Sequence, residues 1–171
     1  PCSSHRQLPR GADYPADLQL DALLDAQKPL GDPPHHDEML FIIVHQASEL
    51  WLKLCLHELT EARECIREDR LRPSFKMLAR VARAQGQLIQ SWDVLSTMTP
   101  HDYSTIRPFL GGSSGFQSAQ YRMMEFLLGG RNPDMITMHE ATPEVAAGLL
   151  ADECGGLLRA FFAAQRQQGK K

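Results

Sequence analysis

The 171-residue chain is short of β-strand signals: residues 135–138 make the one short piece that reads as extended. Proline and glycine are missing altogether from residues 37–68, so nothing there interrupts a helix. Charge of one sign is missing too. The 18 Lys and Arg against 21 Asp and Glu leave a formal net charge of -3, with no basic patch of the kind nucleic acid requires. Lys170 and Lys171 read as a solvated tail. Long hydrophobic runs are absent: the longest, residues 39–44, is far too short to span a bilayer, and residues 1–20 lack the apolar core of a secretory signal. The expectation is a soluble, cytoplasmic protein with no membrane partner. Cys2, Cys55, Cys65 and Cys154 form no C-x-x-C pair and no regular framework, which argues against a zinc knuckle and a disulfide scaffold and for reduced thiols. The first residue is Pro1 rather than methionine, so the start is read as processed or trimmed.

What is present is helical periodicity. Residues 1–16, with Pro1, Pro9, Gly11 and Pro15, read as a mobile arm, and residues 17–171 as a single helical domain. Leu18, Leu20, Leu23 and Leu24 suggest a short helix or extended segment, closed by Pro29, Gly31, Pro33 and Pro34. A long helix is predicted over residues 37–68, acidic at its start and basic toward its end as the macrodipole favours. A second is predicted over residues 73–96, with Phe75, Leu78, Val81, Leu88, Ile89, Trp92 and Leu95 as its apolar stripe; Trp51 and Trp92 are assigned to the core. Thr99 is the expected N-cap of a further helix with Pro100 at its first position, which sets Tyr103 and Arg107 one turn apart. Another helix is expected over residues 116–128, ending at Gly129 and Gly130, and a weaker one from Pro143.

Helical spacing brings Phe41, His45, Ser48, Glu49 and Leu52 onto one face or its border. A buried imidazole without a hydrogen bond costs about 1–3 kcal/mol, so His45 must meet a protein acceptor or a ligand. Arg107 is suited to bidentate capture of a carboxylate, or to a surface salt bridge with an acid such as Asp102; the residues alone leave both open. The string Gly111-Gly-Ser-Ser-Gly115 offers backbone and hydroxyl donors but lacks the lysine of a phosphate loop. His35, His36 and Asp37 are better read as a capping region than as metal ligands, because adjacent side chains diverge on a helix. His57, His101 and His139 stand isolated, and no Glu-x-x-His pair supports a carboxylate-bridged metal site.

Four motifs in order, His36-Asp-Glu-Met-Leu-Phe-Ile-Ile-Val-His-Gln46 with Glu49-Leu-Trp51, Trp92-Asp-Val-Leu-Ser-Thr-Met-Thr-Pro100, Ser113-Ser-Gly-Phe-Gln-Ser118, and Gln120-Tyr-Arg122, resemble the tryptophan 2,3-dioxygenase family over residues 12–135. The resemblance implies an all-α, long-helix bundle of the tryptophan 2,3-dioxygenase and indoleamine dioxygenase type. It also implies a haem b enzyme that uses O2 to open the indole ring of L-tryptophan to N-formylkynurenine. Carried over by residue, it makes His45 the distal histidine that hydrogen-bonds the indole nitrogen, and Phe41 a wall of the indole pocket. Arg107 becomes the partner of the substrate carboxylate, with Tyr103 closing that polar end and Ser114 and Gly115 near the haem-bound oxygen and a propionate. Tyr14 matches one of two tyrosines that the family inserts into a neighbouring subunit, implying a homo-oligomer, a tetramer in the family; Asp17 stands where the second is expected. The family's haem-ligating histidine and its Gly-Thr-Gly-Gly-Ser-Ser-Gly loop have no counterpart after Lys171, so the proximal metal ligand is unassigned. Two alternatives follow: a haem oxygenase of the same superfamily acting on a modified indole, and a haem-free module that binds tryptophan or assembles with a partner.

Overall fold

A computed structural model describes residues 14–110 and 118–130, and these are helical, with no strand among the described residues. The order is α1 (Tyr14–Asp17), α2 (Leu20–Leu24), α3 (His36–Arg67), α4 (Leu71–Leu95), α5 (Pro100–Ile106), a 3-10 turn (Arg107–Leu110) and α6 (Ala119–Leu127). The all-α class read from the sequence is what the described residues adopt. Residues 14–16, the end of the expected arm, form the short helix α1 together with Asp17; the rest of the arm, the extended piece at 135–138 and the helix expected from Pro143 lie outside the described residues.

The uninterrupted stretch after His36 becomes α3, 32 residues long. It pairs antiparallel with α4 through the short link at residues 68–70, and α6 packs chiefly against α3. The core forms where the three meet. Leu52, Cys55 and Leu59 from α3, Val81 and Ala84 from α4, and Met124, Phe126 and Leu127 from α6 are buried together. The length and composition of α3 would suit a membrane span. Its seam with α4 carries a buried Glu58 whose carboxylate accepts both of its bonds from Arg80 of α4, at 2.9 and 3.2 Å. Burial pushes the Cys55 and Cys65 thiols above their ordinary range, keeping both as protonated packing groups.

The stripe expected on α4 needs correction. Val81 is buried and Leu78 and Leu88 pack against the core, but Phe75, Ile89 and Trp92 are exposed, Trp92 by 67 %. Trp51 is also exposed rather than core. The small Ala84 takes a core place instead, because it lets α4 approach α3 closely, and the tryptophans fall on the outer flanks of the pair.

The turn before α3 is built on one carboxylate. Glu38 is 3 % exposed and accepts from the backbone N–H groups of Leu30 (2.7 Å), Gly31 (3.0 Å) and His35 (2.9 Å). A Cβ on Gly31 would collide with that carboxylate, so glycine is required there for close approach. The N–H of His35 first, then that of Gly31, holds the Glu38 carboxyl below the usual carboxylate range. A lowered folded-state value means that its stabilisation is fully present above the unfolded value and is lost as pH falls through the lowered one. Glu38→Gln should therefore lower the melting temperature at neutral pH, and the gap from the parent should close as the medium becomes acid enough to protonate Glu38. Thermal unfolding from pH 7 to pH 2 checks this; a gap independent of pH would show that the ionised carboxylate is not what holds the turn.

Candidate functional site

The site is assembled from α3, α4, α5 and α6. Of the α3 face anticipated from spacing, His45, Ser48, Glu49 and Leu52 line one groove of about 530 Å3 and Phe41 does not, with Leu88, Ser91, Trp92 and Leu95 from α4 opposite and Tyr121, Arg122 and Glu125 from α6 at its end. That volume lies within the range of small-molecule and cofactor sites.

The His45 ring sits 4.1 Å, centroid to centroid, from Phe41 one turn back. Its Nδ1 lies 2.8 Å from the Phe41 carbonyl oxygen. A carbonyl oxygen only accepts, so Nδ1 carries the proton and donates it, and the neutral ring keeps its lone pair on Nε2. The polar group that helical spacing left in need of a partner thus has one on its inner side. Its second nitrogen remains an acceptor on a side chain that lines the groove.

Phe41 also approaches Tyr103 of α5, with ring centroids 6.4 Å apart. Together with Leu95, Met98, Thr99 and Pro100 these two rings line a second hollow of about 360 Å3, and Leu95 borders both spaces. Phe41 is therefore the shared wall between His45 and Tyr103. Tyr103 is fixed by the capping box that the sequence announced. Thr99 Oγ1 accepts from Asp102 N–H at 3.2 Å, and Asp102 Oδ2 accepts from Thr99 N–H at 3.0 Å and from Thr99 Oγ1–H at 2.6 Å. These bonds to Thr99, its hydroxyl foremost, hold the Asp102 carboxyl below the usual range. The Arg107 backbone N–H closes the helix on the Tyr103 carbonyl, one turn on, and its exposed guanidinium begins the 3-10 turn.

Phe41, His45 and Tyr103 are thus brought together, with Arg107 one turn beyond. Tyr14 is 67 % exposed on α1, which packs on α2. Ser114 and Gly115 lie outside the described residues. Reading the residues singly gave no site role to Arg122, which is buried, lies over the Tyr121 ring at 5.1 Å and pairs with Glu125. It also overlooked the link from Gln120 Nε2 to the Glu49 backbone oxygen (3.0 Å) and side-chain Oε2 (2.6 Å) that ties α6 to α3. The dense polar motif Gln120-Tyr-Arg122 was the available signal.

His35 caps α3, its Nδ1 accepting from Asp37 N–H at 3.3 Å, as the capping reading expected. The structure adds Asp102 to this corner. One ring nitrogen of His35 and one carboxylate oxygen each of Asp37 and Asp102 lie within 4.8 Å of one another.

Among the described residues, an all-helical scaffold thus carries a groove with a histidine beside an aromatic ring on one wall and a buried, ion-paired arginine at its end, the features of a small-molecule site. Residues 3–149 match the profile of the tryptophan 2,3-dioxygenase family. The chain is 76 % identical over 136 residues to the tryptophan 2,3-dioxygenase of Erythrobacter litoralis, covering 80 % of this chain and 51 % of that protein. It is 54 % identical over 147 residues to the tryptophan 2,3-dioxygenase of Bacillus cereus, covering 86 % and 52 %, and 58 % identical over 127 residues to tryptophan 2,3-dioxygenase 1 of Ralstonia nicotianae, covering 74 % and 42 %. The chain belongs to the tryptophan 2,3-dioxygenase family, and it spans about half the length of the curated relatives it matches.

Proposed function

We propose that this chain forms the substrate-side wall of a haem-dependent dioxygenase that opens the indole ring of L-tryptophan to N-formylkynurenine, with O2 as co-substrate. The observation that carries the reading is the tautomer of His45. With Nδ1–H given to the Phe41 carbonyl, Nε2 is an acceptor, the one polarity that suits an indole N–H. Phe41 flanks the ring, Tyr103 and Arg107 take the amino-acid end, and the guanidinium fixes the carboxylate through two parallel bonds. Holding the indole in place is the chemical contribution of these residues, a proximity effect that supplies several kcal/mol.

The groove suits haem b on this side. Val44, Leu52, Leu88 and Leu95 offer an apolar surface and Trp92 an exposed flat one, with buried Arg122, ion-paired to Glu125, at the end of the groove; Ser114 and Gly115 are the residues proposed for the haem-bound oxygen and a propionate. Haem, when bound, supplies the redox chemistry with O2. His45 is the one histidine among the described residues lining this groove, and its role toward the indole leaves the iron's proximal ligand to be found outside them. Tyr14, exposed on α1, is assigned to the pocket of a neighbouring subunit in a cytoplasmic homotetramer.

Haemin titration of the chain, followed by addition of L-tryptophan and assay of N-formylkynurenine by absorbance, tests the reading. A saturable Soret band that shifts with tryptophan is expected, with kcat/KM about 10–100-fold lower in His45→Ala through loss of one indole hydrogen bond and the ring's packing. No saturable band, or a tryptophan response unchanged in His45→Ala, would overturn it.

A further inference from the structure

We propose that Gln120 is a positioning residue of the groove: its side-chain amide, held on Glu49, sets the amino-terminal half of α6 against α3, so that Tyr121 and Arg122 keep their places in the groove that His45 lines.

Helix α6 is nine residues long, too short to be stable in water by itself, so its placement depends on what it touches. Its two halves are secured differently. Met124, Phe126 and Leu127, in the second half, are buried in the core with Leu52, Cys55 and Leu59. Apolar burial has no preferred direction, so it seats that half without fixing how the first half turns about the helix axis. In the first half Ala119 and Met123 are only partly buried, and Tyr121 and Arg122 line the groove. The contacts there are polar. Ser118 caps the helix, its Oγ accepting from Tyr121 N–H at 3.1 Å, and Arg122 pairs with Glu125; both bonds stay within this segment and would turn with it.

Gln120 reaches across to α3. Its Nε2 lies 3.0 Å from the Glu49 backbone oxygen and 2.6 Å from Glu49 Oε2. A carbonyl oxygen only accepts, so the end of the amide turned to α3 is its NH2, and both hydrogens are used. Two donors meeting two acceptors of one residue fix an angle as well as a distance, and the bond to the carboxylate is the stronger, charge-assisted kind. Glu49 stands one turn after His45 on α3 and lines the same groove. Gln120 directly precedes Tyr121 and Arg122. The tie therefore joins the α3 wall of the groove to the α6 residues at its end, at the place where apolar packing leaves their orientation open.

The haem arm of the test rests on the proposed occupant of the groove, so a second arm uses the chain without ligand. Gln120→Met keeps the length of the side chain and removes both bonds. Amide exchange should quicken about threefold to tenfold at Tyr121 and Arg122, whose N–H groups bond to Ser118 Oγ and the Ser118 carbonyl. At Leu128, bonded to the Met124 carbonyl at the core end, it should stay within about twofold of the parent. Gln120→Glu sets a carboxylate against that of Glu49, whereas Glu49→Gln with Gln120→Glu reverses donor and acceptor, restores the side-chain bond and returns the parent's net charge. The haemin dissociation constant should rise about threefold to tenfold in Gln120→Met and about 10–100-fold in Gln120→Glu, and fall back in the double variant to about the Gln120→Met value, since the bond to the main chain is not restored. A double variant no better than Gln120→Glu would overturn the proposal, because the bond between these two side chains would then not be what acts. Equal quickening at Arg122 and Leu128 would make Gln120 a general stabiliser and overturn it too, as would parent-like exchange in Gln120→Met. A parent that shows no saturable haemin binding overturns the reading of the groove instead, and amide exchange in the three variants then decides the tie alone.

Discussion

Arg107→Ala should raise the dissociation constant for L-tryptophan by about 100-fold, the cost of removing a charge-assisted pair worth roughly 3 kcal/mol. Arg107 stands one turn after Tyr103 on an element pinned by the Thr99–Asp102 box, so its backbone is placed by that box and its side chain is exposed at the end of the helix. The competing reading, a surface salt bridge to Asp102, is weakened because Asp102 already receives the hydroxyl and backbone donors of Thr99. Arg107→Lys separates charge from geometry: lysine keeps the charge but loses the planar fork, so it should recover only part of the affinity. Equilibrium titration of tryptophan into the haemin-loaded variants checks both. An affinity unchanged in Arg107→Ala would remove this residue from the site. Tryptamine, which lacks the carboxylate, should bind parent and Arg107→Ala alike if the guanidinium meets that group and no other.

The parts of this architecture that were legible in the sequence are those set by local chemistry. The absence of proline and glycine from residues 37–68 sets α3, and Thr99-Pro100 with Asp102 sets the start of α5 to the residue. Helical spacing alone placed Phe41, His45, Ser48, Glu49 and Leu52 on one surface; the last four line one groove, and Phe41 faces the neighbouring hollow. What was not legible depends on which flank of a helix meets its neighbour. Helix α4 carries apolar residues on more than one flank, and nothing in its own period says which faces α3; the alanine at position 84 decides it by allowing close approach, turning Ile89 and Trp92 outward. Glu38 was read as a first-turn acid suited to the helix pole. That it is buried and gathers three backbone donors depends on the path of residues 30–35, which no periodicity encodes. The corner of His35, Asp37 and Asp102 joins residues more than 60 positions apart, and adjacency arguments along one helix could not see the third member.

The division between the folding core and the groove leads to the largest expected effect on stability. Leu59 is 2 % exposed at the seam of α3, so Leu59→Ala should cost about 2–5 kcal/mol: the lost transfer energy of the deleted carbons plus the cavity left in a seam held on several sides. Trp92→Ala deletes more atoms but from a side chain 67 % exposed, and should change the unfolding free energy of the chain by less than about 0.5–1 kcal/mol. Urea unfolding followed by far-ultraviolet circular dichroism measures both in one series. The contrast should reverse when haemin is titrated: Trp92 lines the groove and Leu59 does not, so Trp92→Ala should weaken haemin binding while folded Leu59→Ala binds as the parent does. If Trp92→Ala instead unfolded the chain as readily as Leu59→Ala, the outer flank of α4 would be part of the core and the groove would lose its claim to be a ligand surface. If both variants bound haemin like the parent, the apolar wall of the groove would lie elsewhere. The two measurements together therefore test whether α3 and α4 turn one shared seam toward folding and a separate one toward the ligand, as the positions of Leu59, Ala84, His45 and Trp92 require.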